Sequence, residues 1–327
     1  MSEQLGLEKL LHNTPFAFPI EDFRLLKGGA NNRVYDIQFS SKDRIVLKQY
    51  FQHPLDTRKR LEAEYAFLTF AWEKGIRSIP KPLFCDIQKN IGLYSFIEGV
   101  AISKVEEKHV DAAIDFFLVL NHEYKEKKLP KASEGCFSLQ EYFQILEKRL
   151  FRLQKEIPDL DETHQKANEF VREELFPQWE TMQQKLSQAL SYNQIPETNL
   201  CISPSDFGFH NALYHNNNTI FIDFEYAGWD DPAKMLCDFF CQPKIPIPWK
   251  YWKKWQNALS KLDPAIEERA KIVFPLMQMK WCCIILNSFL PVEKERRAFA
   301  LSQQPNQLEI AKKMFQKIQN EEVPWHT

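Results

Sequence analysis

Three side chains in one short stretch, Asp206, Asn211 and Asp223, have the oxygens and the spacing to move a proton and to hold a hard cation. The stretch, residues 205–228, reads S-D-F-G-F-H-N-A-L-Y-H-N-N-N-T-I-F-I-D-F-E-Y-A-G. Residues 212–215 and 219–224 are strand-like runs on either side of Asn216, Asn217 and Asn218. Asparagine tolerates the left-handed conformations of tight reversals, so the pattern predicts a hairpin. A turn centred on Asn217 sets Asn211 opposite Asp223, at the roughly 4.5–5.5 Å of facing residues on antiparallel strands. One amide oxygen and one carboxylate then share a cation. Mg²⁺ keeps waters and takes substrate phosphates, so two protein ligands suffice for it. Asp206 lies upstream on the loop that enters the hairpin, where it can orient an attacking hydroxyl or accept its proton. The plain alternative is a solvated hairpin whose Asp and Asn cap turns; each residue alone favours it, and the joint spacing favours the chemistry.

An Asp, an Asn five residues on, and then Asp-Phe is the arrangement of the catalytic and metal loops of kinases. With the segment I-D-F-E-Y-A-G at 222–228, the sequence resembles the aminoglycoside phosphotransferase and choline kinase family, over roughly residues 23–240. The resemblance implies an α+β, bilobal, protein-kinase-like fold. It implies an N-lobe of antiparallel sheet plus helix, and a mostly helical C-lobe built around the catalytic hairpin. It also implies ATP, with GTP as the alternative, Mg²⁺, and a small-molecule hydroxyl acceptor. Asp206 takes the catalytic position, and Asn211 and Asp223 the metal positions.

Upstream, L-L-K-G-G-A-N-N-R-V-Y at 25–35 resembles the family's glycine-rich nucleotide loop, which implies that Gly28, Gly29, Ala30, Asn31 and Asn32 cover the phosphates. A Gly-Gly pair alone is more often an ordinary turn. In the strand R-I-V-L-K-Q-Y-F at 44–51, alternation puts Lys48 on the face of Val46 and Tyr50, where a partly enclosed ammonium wants an anion. Lys48 corresponds to the family's phosphate-contacting lysine; a lysine snorkelling from an edge strand is the alternative. Across 55–74, Leu61, Tyr65, Leu68 and Trp72 recur at helical spacing, and Glu64 falls in that buried stripe. A carboxylate there is costly unless paired, which points to Lys48; a glutamate reaching solvent from the stripe's edge is the other reading. Residues 91–99 resemble the hinge between lobes. The Ser95 carbonyl and the Ile97 amide then contact the adenine, with Val46, Phe96 and Ile222 as apolar walls. One departure stands out: the family has His two residues before its catalytic Asp, and this chain has Pro204.

The remaining sequence bounds the reading. The 327 residues are enough for two lobes, an N-lobe at 1–96 for nucleotide and a C-lobe at 97–327 for catalysis and acceptor. A net charge of −2 gives no drive toward nucleic acid or anionic membrane. The first residues lack a basic leader with an apolar core, and the apolar run near 281–290 is too short to span a bilayer. Seven cysteines without metal spacing read as reduced thiols, and the location expected is cytoplasmic. Helical patterns run near 106–127, 138–156, 162–191, 263–290 and 305–320. Trp249, Trp252 and Trp255, spaced by three, read as a helix face docked on the core, with an aromatic wall for a sugar or cationic head group, or a membrane-surface helix, as the sharper alternatives. Glu225, Asp230 and Asp231 can attract an amine or bind acceptor hydroxyls, though Asp231-Pro232 also reads as a helix start. The expected activity is transfer of the γ-phosphoryl of ATP to an amino-alcohol or sugar-type hydroxyl. The alternatives are a nucleotide-binding pseudokinase scaffold and, less favoured for want of an activation segment ending in A-P-E, a protein kinase.

Overall fold

A computed structural model of the chain describes residues 2–26, 31–122, 129–186, 194–302 and 307–326. Helix α1 (Ser2–Leu11) leads into strands β1 (Ile20–Leu25), β2 (Asn32–Phe39) and β3 (Arg44–Tyr50). Helix α2 (Arg60–Glu73) follows, then β4 (Pro82–Asp86) and β5 (Ile91–Ser95). The five strands form one antiparallel sheet in the order β1-β2-β3-β5-β4. Lys48 on β3 stands between Val34 of β2 and Gly92 of β5. A Cβ on Gly92 would collide with Tyr94 Oη, so the glycine leaves the room through which that hydroxyl reaches the sheet face beside Lys48.

Helix α2 starts at Arg60, later than the pattern at 55–74 suggests. The preceding residues fold into a tight loop because the Asp56 carboxylate accepts from the Arg58 backbone and from the guanidinium groups of Arg58 and Arg60, a local alternative to helix. The buried face of α2 is Leu61, Glu64, Phe67, Leu68 and Ala71; Tyr65 and Trp72, expected on it, are half-buried.

The rest of the chain is mostly helical. After β6 (Val100–Ala101) come α3 (Glu107–Asn121), α4 (Leu139–Glu156), α5 (Glu162–Phe170) and α6 (Phe176–Leu186), the last two joined by a π-helical turn. Strand β7 (Cys201–Ser203) precedes the hairpin β8 (Ala212–His215) and β9 (Asn218–Phe221), and β10 (Gly228–Asp230) returns to pair with β7. Helices α7 (Pro232–Cys241), α8 (Trp252–Leu259), α9 (Ile266–Leu286), α10 (Pro291–Ala300) and α11 (Gln307–Gln319) complete the chain. Ser138 and Asp161 cap α4 and α5 by accepting from backbone N–H groups.

The packing has two apolar centres. A smaller one joins α1 to the outer face of the sheet through Leu7, Leu11, Ile37, Phe39 and Leu47. The larger one fills the helical part and also takes in Phe67, Leu68 and Ala71 of α2, so α2 is anchored from below as well as against the sheet. Trp255 is fully buried against Phe117, Phe207 and Phe239, and Trp252 packs on Phe240, Phe274 and Trp325. Trp252 and Trp255 are core and Trp249 is half-buried against it, so the stripe is a face docked on the core, and the aromatic-wall and membrane-surface readings do not hold for Trp252 and Trp255. Helix α9 with its short extension is long and apolar enough to cross a membrane, unlike the shorter run read from the sequence, but most of it is buried in this core.

Candidate active site

The hairpin forms, with a different register from the one its composition suggests. Its turn is the two residues Asn216 and Asn217, with φ of 46° and 63°, the pair of left-handed residues that matches the twist of flanking strands. Ala212 therefore pairs with Phe221, and the Ile222 N–H donates to the Asn211 carbonyl at 2.9 Å. Asn211 faces Ile222, so the expected pairing with Asp223 is off by one residue. Pairing ends at this point: Asp223 adopts φ of 68°, a left-handed conformation uncommon outside glycine and better tolerated by Asp than by most residues.

What Asp223 meets is Lys48. The ammonium bonds Asp223 Oδ1 at 2.5 Å and Glu64 Oε2 at 2.6 Å, and lies 3.8 Å from Glu225 Oε2. Burial works against the charge on Lys48, but Asp223, Glu64 and Glu225 outweigh it and hold its pKa well above the ordinary range. The Lys48–Glu64 contact inferred from the helical stripe is thus present. Tyr50 Oη donates to Glu64 Oε2 at 2.6 Å and meets Tyr94 Oη at 2.7 Å, while the Phe224 N–H donates to Glu64 Oε1 at 3.2 Å. Burial, then the Glu64 charge, pushes both phenols up, so they remain donors.

Glu225 is the residue whose place the sequence least announced. It is buried, and accepts from Asn31 Nδ2 at 2.7 Å and Asn32 Nδ2 at 2.5 Å, with Arg60 Nε at 3.6 Å. The side-chain amides of Asn31 and Asn32 are therefore committed to a carboxylate on the segment that follows the hairpin. Gly28, Gly29 and Ala30 lie outside the described residues. Glu225 is unavailable to an acceptor, and so are the other two acids considered for that role. Asp230 bonds Lys234 at 2.7 Å; Asp231 caps α7, takes Arg269 and accepts from Tyr142 Oη. The helix-start reading of Asp231-Pro232 is the one realised.

Asp206 sits on the other side of the hairpin, its side chain 34% exposed. Asn211 Nδ2 donates to its carbonyl at 3.0 Å and reaches its Oδ2 at 3.4 Å, and His210 Nε2 lies 3.3 Å from its Oδ1. The preceding Ser205 has φ of 65°, and its N–H is held by Ser203 Oγ at 3.0 Å, so the bend at Pro204 is built from backbone and small hydroxyls. Asn211, joined to Asp206 by its side chain and to Ile222 by its backbone, links the two halves of the site.

The donor set fits a hard cation. With Nδ2 turned to Asp206, Asn211 presents Oδ1, and Asp223 has a carboxylate oxygen beyond the one that Lys48 takes. Both are hard oxygen ligands of the kind that Mg²⁺ accepts beside phosphate. Ser95 closes β5, its Oγ taking the Lys81 N–H at 2.8 Å; Ile97 follows, half-buried, in the connection to β6. Of the expected walls, Val46 and Ile222 are half-buried, and Phe96 lies under the Arg44 guanidinium at 3.5 Å.

A C-terminal element also reaches this region. Arg33 Nε donates to the Phe299 carbonyl of α10 at 2.6 Å, and Arg296 of α10 bonds Asn31 at 3.3 Å, Asp56 at 3.2 Å and Glu293 at 2.7 Å.

Residues 22–242 match the model of the phosphotransferase enzyme family. No curated protein sequence matches the chain. Among solved structures, it is similar to the choline kinase LicA from Streptococcus pneumoniae, with a TM-score of 0.64 and 14% identity over 97% of this chain and 100% of that one. It is similar to a choline/ethanolamine kinase family protein from Mesorhizobium loti, with a TM-score of 0.62 and 17% identity over 99% and 96%. A spectinomycin phosphotransferase in complex with ADP and spectinomycin gives a TM-score of 0.59 and 15% identity over 95% and 98%. At such identities the likeness is one of fold. That fold and the match over most of the chain agree: the protein belongs to the phosphotransferase enzyme family and has its protein-kinase-like architecture.

Proposed function

We propose that this phosphotransferase-family protein is a small-molecule kinase that moves the γ-phosphoryl group of ATP to a hydroxyl of an amino-alcohol or sugar-type acceptor. The observation that carries the reading is the Lys48 ammonium held between Glu64 and Asp223. Phosphoryl transfer asks a protein chiefly for placed charge, and this contact joins three charged groups from distant parts of the chain. Asp206 accepts the proton of the acceptor hydroxyl. The hydroxyl oxygen bonds the γ-phosphorus, the bond from that phosphorus to the β–γ bridging oxygen breaks, and ADP leaves. Lys48, braced by Glu64, contacts the α- and β-phosphates. Asn211 and Asp223 hold Mg²⁺, which when bound offsets phosphate charge. The nucleotide lies between a lobe of residues 1–96 and one of residues 97–327. Residues 28–32 cover its phosphates, and the backbone of Ser95 and Ile97 meets its base. With Trp252 and Trp255 in the core, cation–π caging by that pair is not how the acceptor is held. ATP as donor and seven free cysteines fit a cytoplasmic protein.

The test is ADP release from Mg-ATP over a panel of choline, ethanolamine and aminocyclitol or sugar alcohols, read against a no-acceptor control. One acceptor class is expected to stand out, and Asp206→Ala to lose about 10²–10⁴-fold in rate. Wild-type turnover in that variant would sink the assignment. A second reading, a nucleotide-binding pseudokinase, has one observation in its favour: Lys48 is bonded directly to Asp223, the residue assigned to metal. It predicts thermal stabilisation by ATP with no acceptor-dependent ADP release.

A further inference from the structure

The loop around Asp206 contains an imidazole that the mechanism above does not use. His210 follows Asp206 by one turn, in the short 3₁₀ segment Phe209–Asn211. Its side chain is 9% exposed, its Nε2 lies 3.3 Å from Asp206 Oδ1, and its Nδ1 is buried without a hydrogen-bond partner among the described residues. A carboxylate can only accept, so the tautomer consistent with this contact carries its proton on Nε2. Nδ1 is then a buried acceptor left unmet, an arrangement that costs free energy. The ring packs against Gly208, where a Cβ would stand 2.8 Å from Nδ1. The space for the imidazole in this orientation therefore depends on a glycine two residues before it.

We propose that His210 is a positioning residue for Asp206; this rests on the proposed role of Asp206 as proton acceptor. Nε2–H is directed to Oδ1 and Asn211 Nδ2–H to Oδ2, so each carboxylate oxygen has a donor of its own, and together they fix the plane and rotation of the group. The lone pairs that remain on the two oxygens are left for the acceptor's hydroxyl. Among the described residues, the side chains just before Asp206 add no donor to it: Pro204 has none, and Ser205 Oγ is buried without a partner. A carboxylate a third exposed would otherwise rotate freely, and the proton transfer needs one of its oxygens in a fixed place. His210 touches Asp206 and not the reacting atoms, so it acts on turnover and not on nucleotide binding.

The experiment compares His210→Leu, His210→Gln, Gly208→Ala and Asp206→Asn with wild type. Each is measured for kcat and KM of Mg-ATP turnover, with the best alcohol of the panel or with water as acceptor, and for thermal midpoint with and without Mg-ATP. The glutamine amide can place a donor near the Nε2 position, and the alanine at 208 displaces the ring without removing it. His210→Leu and Gly208→Ala are expected to lower kcat about 10–100-fold, the scale of a misplaced catalytic group. KM for ATP and the shift in midpoint on adding Mg-ATP should stay as in wild type, and His210→Gln should recover most of kcat. Wild-type kcat in His210→Leu, or a His210→Gln protein as slow as His210→Leu, overturns the inference while Asp206→Asn remains inactive. Wild-type turnover in Asp206→Asn, or none in the wild type, instead overturns the proposed function and the inference with it.

Discussion

At the scale of single residues, Lys48 is surrounded by more negative charge than one ammonium balances. Glu64, Asp223 and Glu225 each place a carboxylate oxygen within 4.8 Å of the others, and Lys48 bonds the first two and lies 3.8 Å from the third. Lys48→Met should therefore do more than remove the proposed phosphate contact. Breaking a buried ion pair from one side costs about 3–5 kcal/mol, and a urea titration at neutral pH should show a loss of that order. A variant of unchanged stability would mean that the three carboxylates are solvated and that the contact is incidental. The two ends of this cluster were not equally legible. Glu64 stood out because a charge on an apolar helical stripe needs a partner, and the nearest strand carried one. Glu225 did not, because its donors Asn31, Asn32 and Arg60 lie far away in sequence and no local periodicity records such a contact.

Among the elements, those with an apolar face were readable and those held by charge were not. The five-stranded sheet and α2 follow alternation and helical spacing, and the larger helices α4, α9 and α11 each have an apolar face where one was expected. Helix α10 was missed: its buried positions are Val292, Glu293 and Arg296, so two of three are charged and the hydrophobic pattern is absent. The one-residue slip in the hairpin has another cause. Three successive asparagines allow either a two- or a three-residue turn, and twist decides in favour of two. Helix α10 and the loop before α2 meet at Asp56, a buried carboxylate that takes Arg58, Arg60 and Arg296. Burial alone would raise its pKa, but Arg58 and Arg60 outweigh it and hold the group well below the usual aspartate range. A depressed folded-state value means stability that is present above the unfolded pKa of about 3.9 and is lost as pH falls toward the lower one. Asp56→Asn should be less stable by about 1.5–3 kcal/mol at pH 7. The gap to wild type should narrow progressively as the pH falls below about 4, and a gap constant with pH would remove Asp56 from this role.

For the molecule as a whole, helices α8, α9 and α11, which lie beyond residue 242 and outside the matched family region, share the larger apolar core with the helices before them. Trp255 packs on Phe207, next to Asp206, and on Phe117 of α3. Trp255→Ala should lower stability by about 3–5 kcal/mol in a single cooperative transition, with an unchanged denaturant slope. Two transitions would show that the tail melts on its own. Helix α10 adds a constraint of another kind, because it leaves the helical part at Leu290 and ends with Phe299 against Arg33 of the sheet. His53 and Glu295, and Arg296 and Asn31, add to the seam. Residues 96–99, which lead from β5 to β6, also join the sheet to the helical part, so the two are connected in more than one place. On the proposed function, the contacts of the seam would have to part before ADP leaves, which makes the seam a matter of timing as much as of affinity. Loosening that seam at the His53–Glu295 contact, which takes no part in the proposed site, should quicken nucleotide exchange.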